Sequence, residues 1–142
     1  MKIDFKIIFI ALLVCVFTAC DDTPVVFDNV DGKVALQFAT RTFNVSVPTA
    51  GITVVVPVSV TTISSTSRTF TAALGSGSTA PTSSYTIGAV TIPAGSYVGT
   101  LNVDLNATSL VSGLSYTLPI KLIAPEGGNV FNETATIKFN KG

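Results

Sequence analysis

Ile52-Thr53-Val54-Val55-Val56-Pro57-Val58-Ser59-Val60-Thr61 sets Ile52, Val54, Val56, Val58 and Val60 on one side of an extended chain. Thr53, Val55, Pro57, Ser59 and Thr61 fall on the other. Successive side chains of a strand point to opposite faces, so a period of two over five pairs predicts a strand with one buried face. Val and Ile are stiff at χ1 and pack well on a pleated surface. Pro57 has no N–H to give to a ladder, so an edge or a bulge is expected at that point.

The same alternation recurs on both sides. Upstream, Val34, Leu36 and Phe38 alternate with Ala35, Gln37 and Ala39, and Phe43, Val45 and Val47 with Thr42, Asn44 and Ser46. Downstream, Arg68 to Leu74 reads as one strand with Phe70, Ala72 and Leu74 inward. Tyr85 to Ile92 is a strand interrupted at Gly88. Tyr97 to Leu105 follows, with Tyr97, Leu101, Val103 and Leu105 inward. Tyr116, Leu118, Ile120 and Leu122, then Ala135, Ile137 and Phe139, complete the inward set. Pro93-Ala94-Gly95 predicts a type I turn ending in Gly, and Pro125 to Asn129 another turn. Gly75 to Ser84 is Gly/Ser-rich and is expected to be the most flexible loop. Seven or eight strands at this spacing, with no helical period, predict an all-β antiparallel β-sandwich, with a small barrel as the alternative.

Ahead of these strands stands a different kind of sequence. Met1 to Lys6 carries Lys2 and Lys6 against Asp4, Ile7 to Phe17 is unbroken apolar, and Thr18, Ala19 and Cys20 follow. A positive start, a short apolar core and small residues at the cut match a secretory signal. The apolar run is shorter than the roughly 20 residues needed to span a bilayer. Three segments are therefore expected: 1–19 a cleaved leader, 20–32 a tether, and 33–142 the β-sandwich. Cys15 would leave with the leader, so Cys20 would be the lone thiol of the mature chain, with no disulfide and no Cys-based metal site.

Phe17-Thr18-Ala19-Cys20 resembles a bacterial lipobox, with Phe17 where the common pattern has Leu. The resemblance implies an acyl-lipid anchor on Cys20, hence attachment to a lipid membrane. Asp21-Asp22 is similar to the export signal of surface lipoproteins in the Bacteroides–Flavobacterium group. That implies the outer membrane and display on the cell surface, the periplasmic face being the alternative. The series Val26-Phe27-Asp28-Asn29-Val30, Ser67-Arg68-Thr69-Phe70, Tyr85-Thr86-Ile87-Gly88, Ile92-Pro93-Ala94-Gly95-Ser96-Tyr97 and Asn132-Glu133-Thr134 resembles the short Calx-beta-like, immunoglobulin-like lipoproteins of that group. Calx-beta domains bind calcium through clustered acidic loop residues. The resemblance makes Asp28, Asn29 and Asp31 weak calcium candidates, with Glu126 or Glu133 adding ligands where the chain ends pair. Asp-Asn-x-Asp-Gly is equally a good turn sequence.

Chemistry is sparse. The sequence holds no histidine, which removes Ser-His-Asp and Cys-His arrangements. Without Lys2, Lys6 and Asp4, six basic face seven acidic side chains, so there is no basic footprint for nucleic acid. A glycosidase pair such as Asp104 with Glu126 or Glu133 is conceivable, and solvated surface charge is the plainer reading. Most phenylalanines fall on inward positions. Ser76, on the long loop, and Tyr85, which flanks it, are the ligand-binding candidates. The expected function is a membrane-anchored, non-catalytic binding or adhesion module with a glycan or protein partner. The alternatives are a purely structural envelope lipoprotein or a calcium-binding Calx-beta-like domain.

Overall fold

The structure, a computed structural model, describes residues 29–30 and 32–142. Ten strands run in chain order: β1 Ala35–Phe38, β2 Thr42–Val47, β3 Ile52–Val60, β4 Arg68–Phe70, β5 Ala72–Leu74, β6 Tyr85–Ile92, β7 Val98–Leu105, β8 Ser115–Leu122, β9 Asn129–Phe131 and β10 Thr134–Lys141. They form a six-stranded sheet ordered β4-β6-β7-β3-β1-β9 and a four-stranded sheet ordered β2-β10-β8-β5. Two sheets packed through their inner faces make the β-sandwich. One short 3-10 turn, Thr82–Ser84, is the only helical element among the described residues.

The alternation of β3 is met in space. Val54, Val56, Val58 and Val60 are buried, and Val55 is 54% exposed. Ile52, at the strand end, is exposed rather than inward. Gly99, Leu101, Val103 and Leu105 of β7 face the same core. From the other sheet Leu118, Ile120, Ala135, Ile137 and Phe139 close over them. Tyr116 packs against Phe139 with ring centroids 5.7 Å apart, and its hydroxyl accepts from Val111 N at 2.9 Å. That bond ties the connection before β8 to the start of the strand, as a tyrosine corner does in immunoglobulin-like sandwiches.

Pro57 sits where β1 stops. Ala39 N donates to Pro57 O at 3.2 Å, and the β1 ladder covers only Val58 to Val60. The missing N–H of Pro57 therefore points to the side that β1 is leaving. The strand is central in the sheet yet locally an edge there, which is how it tolerates the proline.

Several expectations are corrected. Ten strands replace seven or eight because the chain changes sheets within stretches that read as continuous. Arg68 to Leu74 splits at Thr71: β4 pairs β6 in one sheet and β5 pairs β8 in the other. Leu74, on that outer strand, is exposed rather than inward. β9 occupies a stretch read as a turn and its approach. It pairs β1 in parallel, and β10 pairs β2 in parallel, so the sandwich is not purely antiparallel. Tyr97 is 42% exposed because it precedes the strand, where side-chain parity no longer holds. At Pro93 to Ser96, Ser96 N donates to Pro93 O and Gly95 has φ +70°. A positive φ at the third residue marks a type II turn, not type I, and explains the glycine. Gly88 lies in a bulge of β6 between Ile87 and Val90.

Gly75 to Ser84 is tied down rather than loose. Gly75 N donates to Pro119 O and Thr79 N to Thr117 O, while Thr117 N donates to Thr79 Oγ1. These bonds carry the β5 edge onward along β8.

Val56→Asp is expected to abolish the cooperative β-type circular dichroism transition. An unpaired buried charge costs several kcal/mol against a total stability of about 5–15 kcal/mol. Val55→Asp, one residue away on the exposed face, should leave the melting temperature within a few degrees; equal damage from both would refute the register.

Candidate functional site

The outer face of the larger sheet mixes exposed apolar residues, Val55 and Val98, with short polar ones, which gather at the Asp104 end. In register across β3, β7 and β6, Thr53 lies opposite Asp104, and Asp104 opposite Thr86. Thr53 Oγ1 donates to Asp104 Oδ1. This row forms one wall of an open depression of ≈ 420 Å³ that Ala50, Gly51 and Asn106 close at the end of the sheet. Gly51 has φ +82°, and a Cβ there would stand 2.8 Å from Leu105 O. Only glycine gives both that backbone and that close approach.

Asn106 shows how the surrounding loops are held. Its backbone N donates to Ser84 O at 2.9 Å and its Nδ2 to Ser83 O at 2.8 Å. Its Oδ1 accepts from Thr108 N at 3.2 Å. Ser83 Oγ and Ser109 Oγ lie 2.6 Å apart. Buried Ser84 gives its hydroxyl to Pro81 O at 2.7 Å. The β5–β6 and β7–β8 connections are thus stapled together beside the depression, so its rim rests on satisfied backbone groups.

Chemically the depression offers one carboxylate, two threonine hydroxyls and an amide-bearing rim. Asp104 keeps an oxygen beyond the one that Thr53 engages, which suits donation from a ligand hydroxyl or amide. It holds a single carboxylate among its lining residues. Glu126 and Glu133 flank β9 beyond the opposite end of the sandwich, and Glu133 pairs with Lys121 at 3.3 Å. The structure therefore does not bring Asp104 into a pair with either.

Ser76 is exposed beside the turn at Gly77, outside the lining of the depression. Tyr85 is half-buried against the core, and its neighbour Thr86 is the residue that lines the depression. Asn29 gives its amide to Tyr97 Oη at 3.0 Å and its carbonyl accepts from Ile63 N at 2.8 Å. Cys20, Asp21, Asp22, Asp28 and Asp31 lie outside the described residues. Among the described residues no three His, Cys, Asp or Glu side chains stand close enough to hold a metal ion. Thr53 and Thr86 escaped notice in the sequence because their meeting depends on strand register, which no local pattern specifies.

No curated protein matches the chain. Among solved structures, a candidate carbohydrate-binding protein from Bacteroides ovatus superposes with a TM-score of 0.59 at 17% identity, over 78% of this chain and 37% of that one. The apo form of the Calx CBD1 domain gives 0.59 at 15% identity, over 78% of this chain and 99% of that domain. A Bacteroides ovatus protein of unknown function gives 0.56 at 19%, over 73% and 43%. The chain thus spans less than half the length of the two Bacteroides proteins, and about one whole Calx domain. A family model described as a "-like, N-terminal domain" matches residues 18–129. The chain belongs to that family of N-terminal domains, and its fold is the Calx-beta-like β-sandwich seen in Bacteroides proteins.

Proposed function

We propose that this protein is a lipid-anchored, non-catalytic binding module of the outer membrane, displayed at the cell surface, that takes glycan ligands in the Asp104 depression. The observation that carries this reading is the Thr53–Asp104–Thr86 row and where it stands. Asn29, the first described residue, contacts Tyr97 just before β7, whereas Asp104 and Asn106 lie at the far end of β7. Eight strand residues separate the two, roughly 25 Å. An anchor on Cys20 would enter beside Asn29, so the depression would face away from the lipid. Nine residues reach at most about 30 Å, which keeps the domain close to the membrane with its binding end outward.

Hydroxyl and carboxylate side chains on a rigid sheet suit a polyhydroxylated ligand. The fold likeness to a candidate carbohydrate-binding protein supports the same class. An adhesion role follows from the same geometry, since binding at an outward end links the membrane to whatever carries the glycan. Calcium has one observation in its favour. The parallel pairing Ala35↔Asn129 sets the Glu126 turn beside the start of β1, six residues on from Asn29. Glu133 is already engaged by Lys121, however. A calcium site there would raise the melting temperature in millimolar calcium, and that gain would be lost on chelation.

Two measurements test the main reading. Asp104→Ala should weaken binding on a glycan array and in titration by about 10- to 100-fold, the scale of a charge-assisted hydrogen bond. Its melting temperature should hardly change, because Asp104 is exposed; undiminished binding would refute the site. Cys20→Ser should abolish acyl labelling and release the protein from the membrane fraction. Labelling that persists in that variant would remove the anchor while leaving the Asp104 result standing.

A further inference from the structure

The open edges of the two sheets differ. β4 and β9 are three residues long, and β5 continues into a segment tied to β8. β2 is six residues long and stays in unbroken register with β10 from Thr42↔Thr136 to Val47↔Lys141. Among the described residues no strand lies on its other side. Thr136 N donates to Arg41 O, and Gly142 N donates to Val47 O at 2.9 Å. The odd-numbered residues therefore direct their backbone groups at β10, and alternation turns the N–H and C=O groups of Thr42, Asn44 and Ser46 outward. Natural edges are usually guarded by proline, charge, a bulge or shortness. Thr42-Phe43-Asn44-Val45-Ser46-Val47 has none of these.

The charges around this edge are of one sign. Arg41 precedes β2, Lys138 is the register partner of Asn44, and Lys141 that of Val47. The side-chain carboxylates that the structure describes are elsewhere: Asp104 with Thr53, Glu133 with Lys121, and Glu126 in the β8–β9 turn. A second copy paired edge to edge would bring two such basic sets onto one sheet with no described carboxylate between them, which disfavours association.

We propose that β2 is a docking edge for an extended acidic segment of a partner protein, added as a fifth strand to the smaller sheet. Backbone hydrogen bonds to Thr42, Asn44 and Ser46 would supply the pairing, and Arg41, Lys138 and Lys141 the choice of an acidic partner.

The probe is a fluorescein-labelled eight-residue peptide in which Glu alternates with Val and Thr, alongside the same peptide with Lys for Glu. Both are titrated into the purified full chain in detergent. Saturable binding of the acidic peptide alone, with slowed hydrogen exchange at the Thr42, Asn44 and Ser46 amides, is the expected result. Asn44→Pro removes an outward N–H and leaves the β10 ladder intact, so it should weaken binding roughly tenfold while the melting temperature is kept. Lys138→Glu should weaken it also, and should do so less at high salt. Absence of binding, equal binding of the two peptides, or binding that survives both substitutions overturns the proposal. Amide protection that appears with protein concentration and no peptide overturns it too, in favour of self-association.

Discussion

Eight consecutive residue pairs between β3 and β7, from Ile52↔Leu105 to Ser59↔Val98, hold the centre of the larger sheet. Both faces of the molecule depend on that register. On the inner side it stacks Val54, Val56 and Val58 beside Val103, Leu101 and Gly99, which the second sheet then covers. On the outer side it sets Thr53 against Asp104. A slip of one residue would turn the valines to solvent and dismantle the polar row in the same step. The core therefore enforces the site: burial of the valines keeps Asp104 where its hydroxyl neighbours can reach it.

What the sequence revealed follows from how far each signal extends. β3, β7, β8 and β10 are long and alternate cleanly, so their inward residues were readable, down to Leu118, Ile120, Ile137 and Phe139. The changes of sheet were not. At Thr71 one residue carries the chain across, and Phe70 and Ala72 are both partly buried on either side of it, so no break in pattern betrays the crossing. β9 is three residues between glycines and Asn132, whose φ of 45° turns the chain into β10; so short a stretch has no period to detect. The parallel pairings of β1 with β9 and β2 with β10 join residues almost a hundred positions apart, which only the folded topology brings together.

The loops illustrate a second limit. Glycine and serine from Gly75 to Ser84 suggest looseness when read as composition. The same serines are good hydrogen-bond donors and acceptors at close quarters, and here they spend that capacity on Thr117, Ser109 and Pro81. Asn106 closes the set from the neighbouring connection. A loop made of short polar residues can thus become part of a rigid frame when a facing strand presents free carbonyls. That frame is what allows a shallow depression to hold its shape with no aromatic platform within it.

Charge is scarce enough in this chain that its placement carries meaning. The Lys121–Glu133 pair is about half exposed on both sides, where ion pairs contribute little to stability. Arg68 is used inward: its guanidinium donates to Thr62 Oγ1 at 2.9 Å and lies 5.9 Å from the Phe70 ring centroid. It anchors the loop after β3 and takes no part in the outer surface. Arg41, Lys138 and Lys141 stand along one sheet and Lys33 ahead of β1, while Asp104 stands on the face of the larger sheet. The two polar surfaces are therefore opposite in sign and lie on different sheets, one along an edge and one at an end. Asn29 itself sits against Tyr97 and Ile63, at the other end of the sandwich from Asp104 and on the other sheet from β2, so a domain tethered there would leave both open at once. An end-on ligand and an edge-on strand would then compete neither for space nor for charge, which is the arrangement expected of an anchored domain that joins two partners.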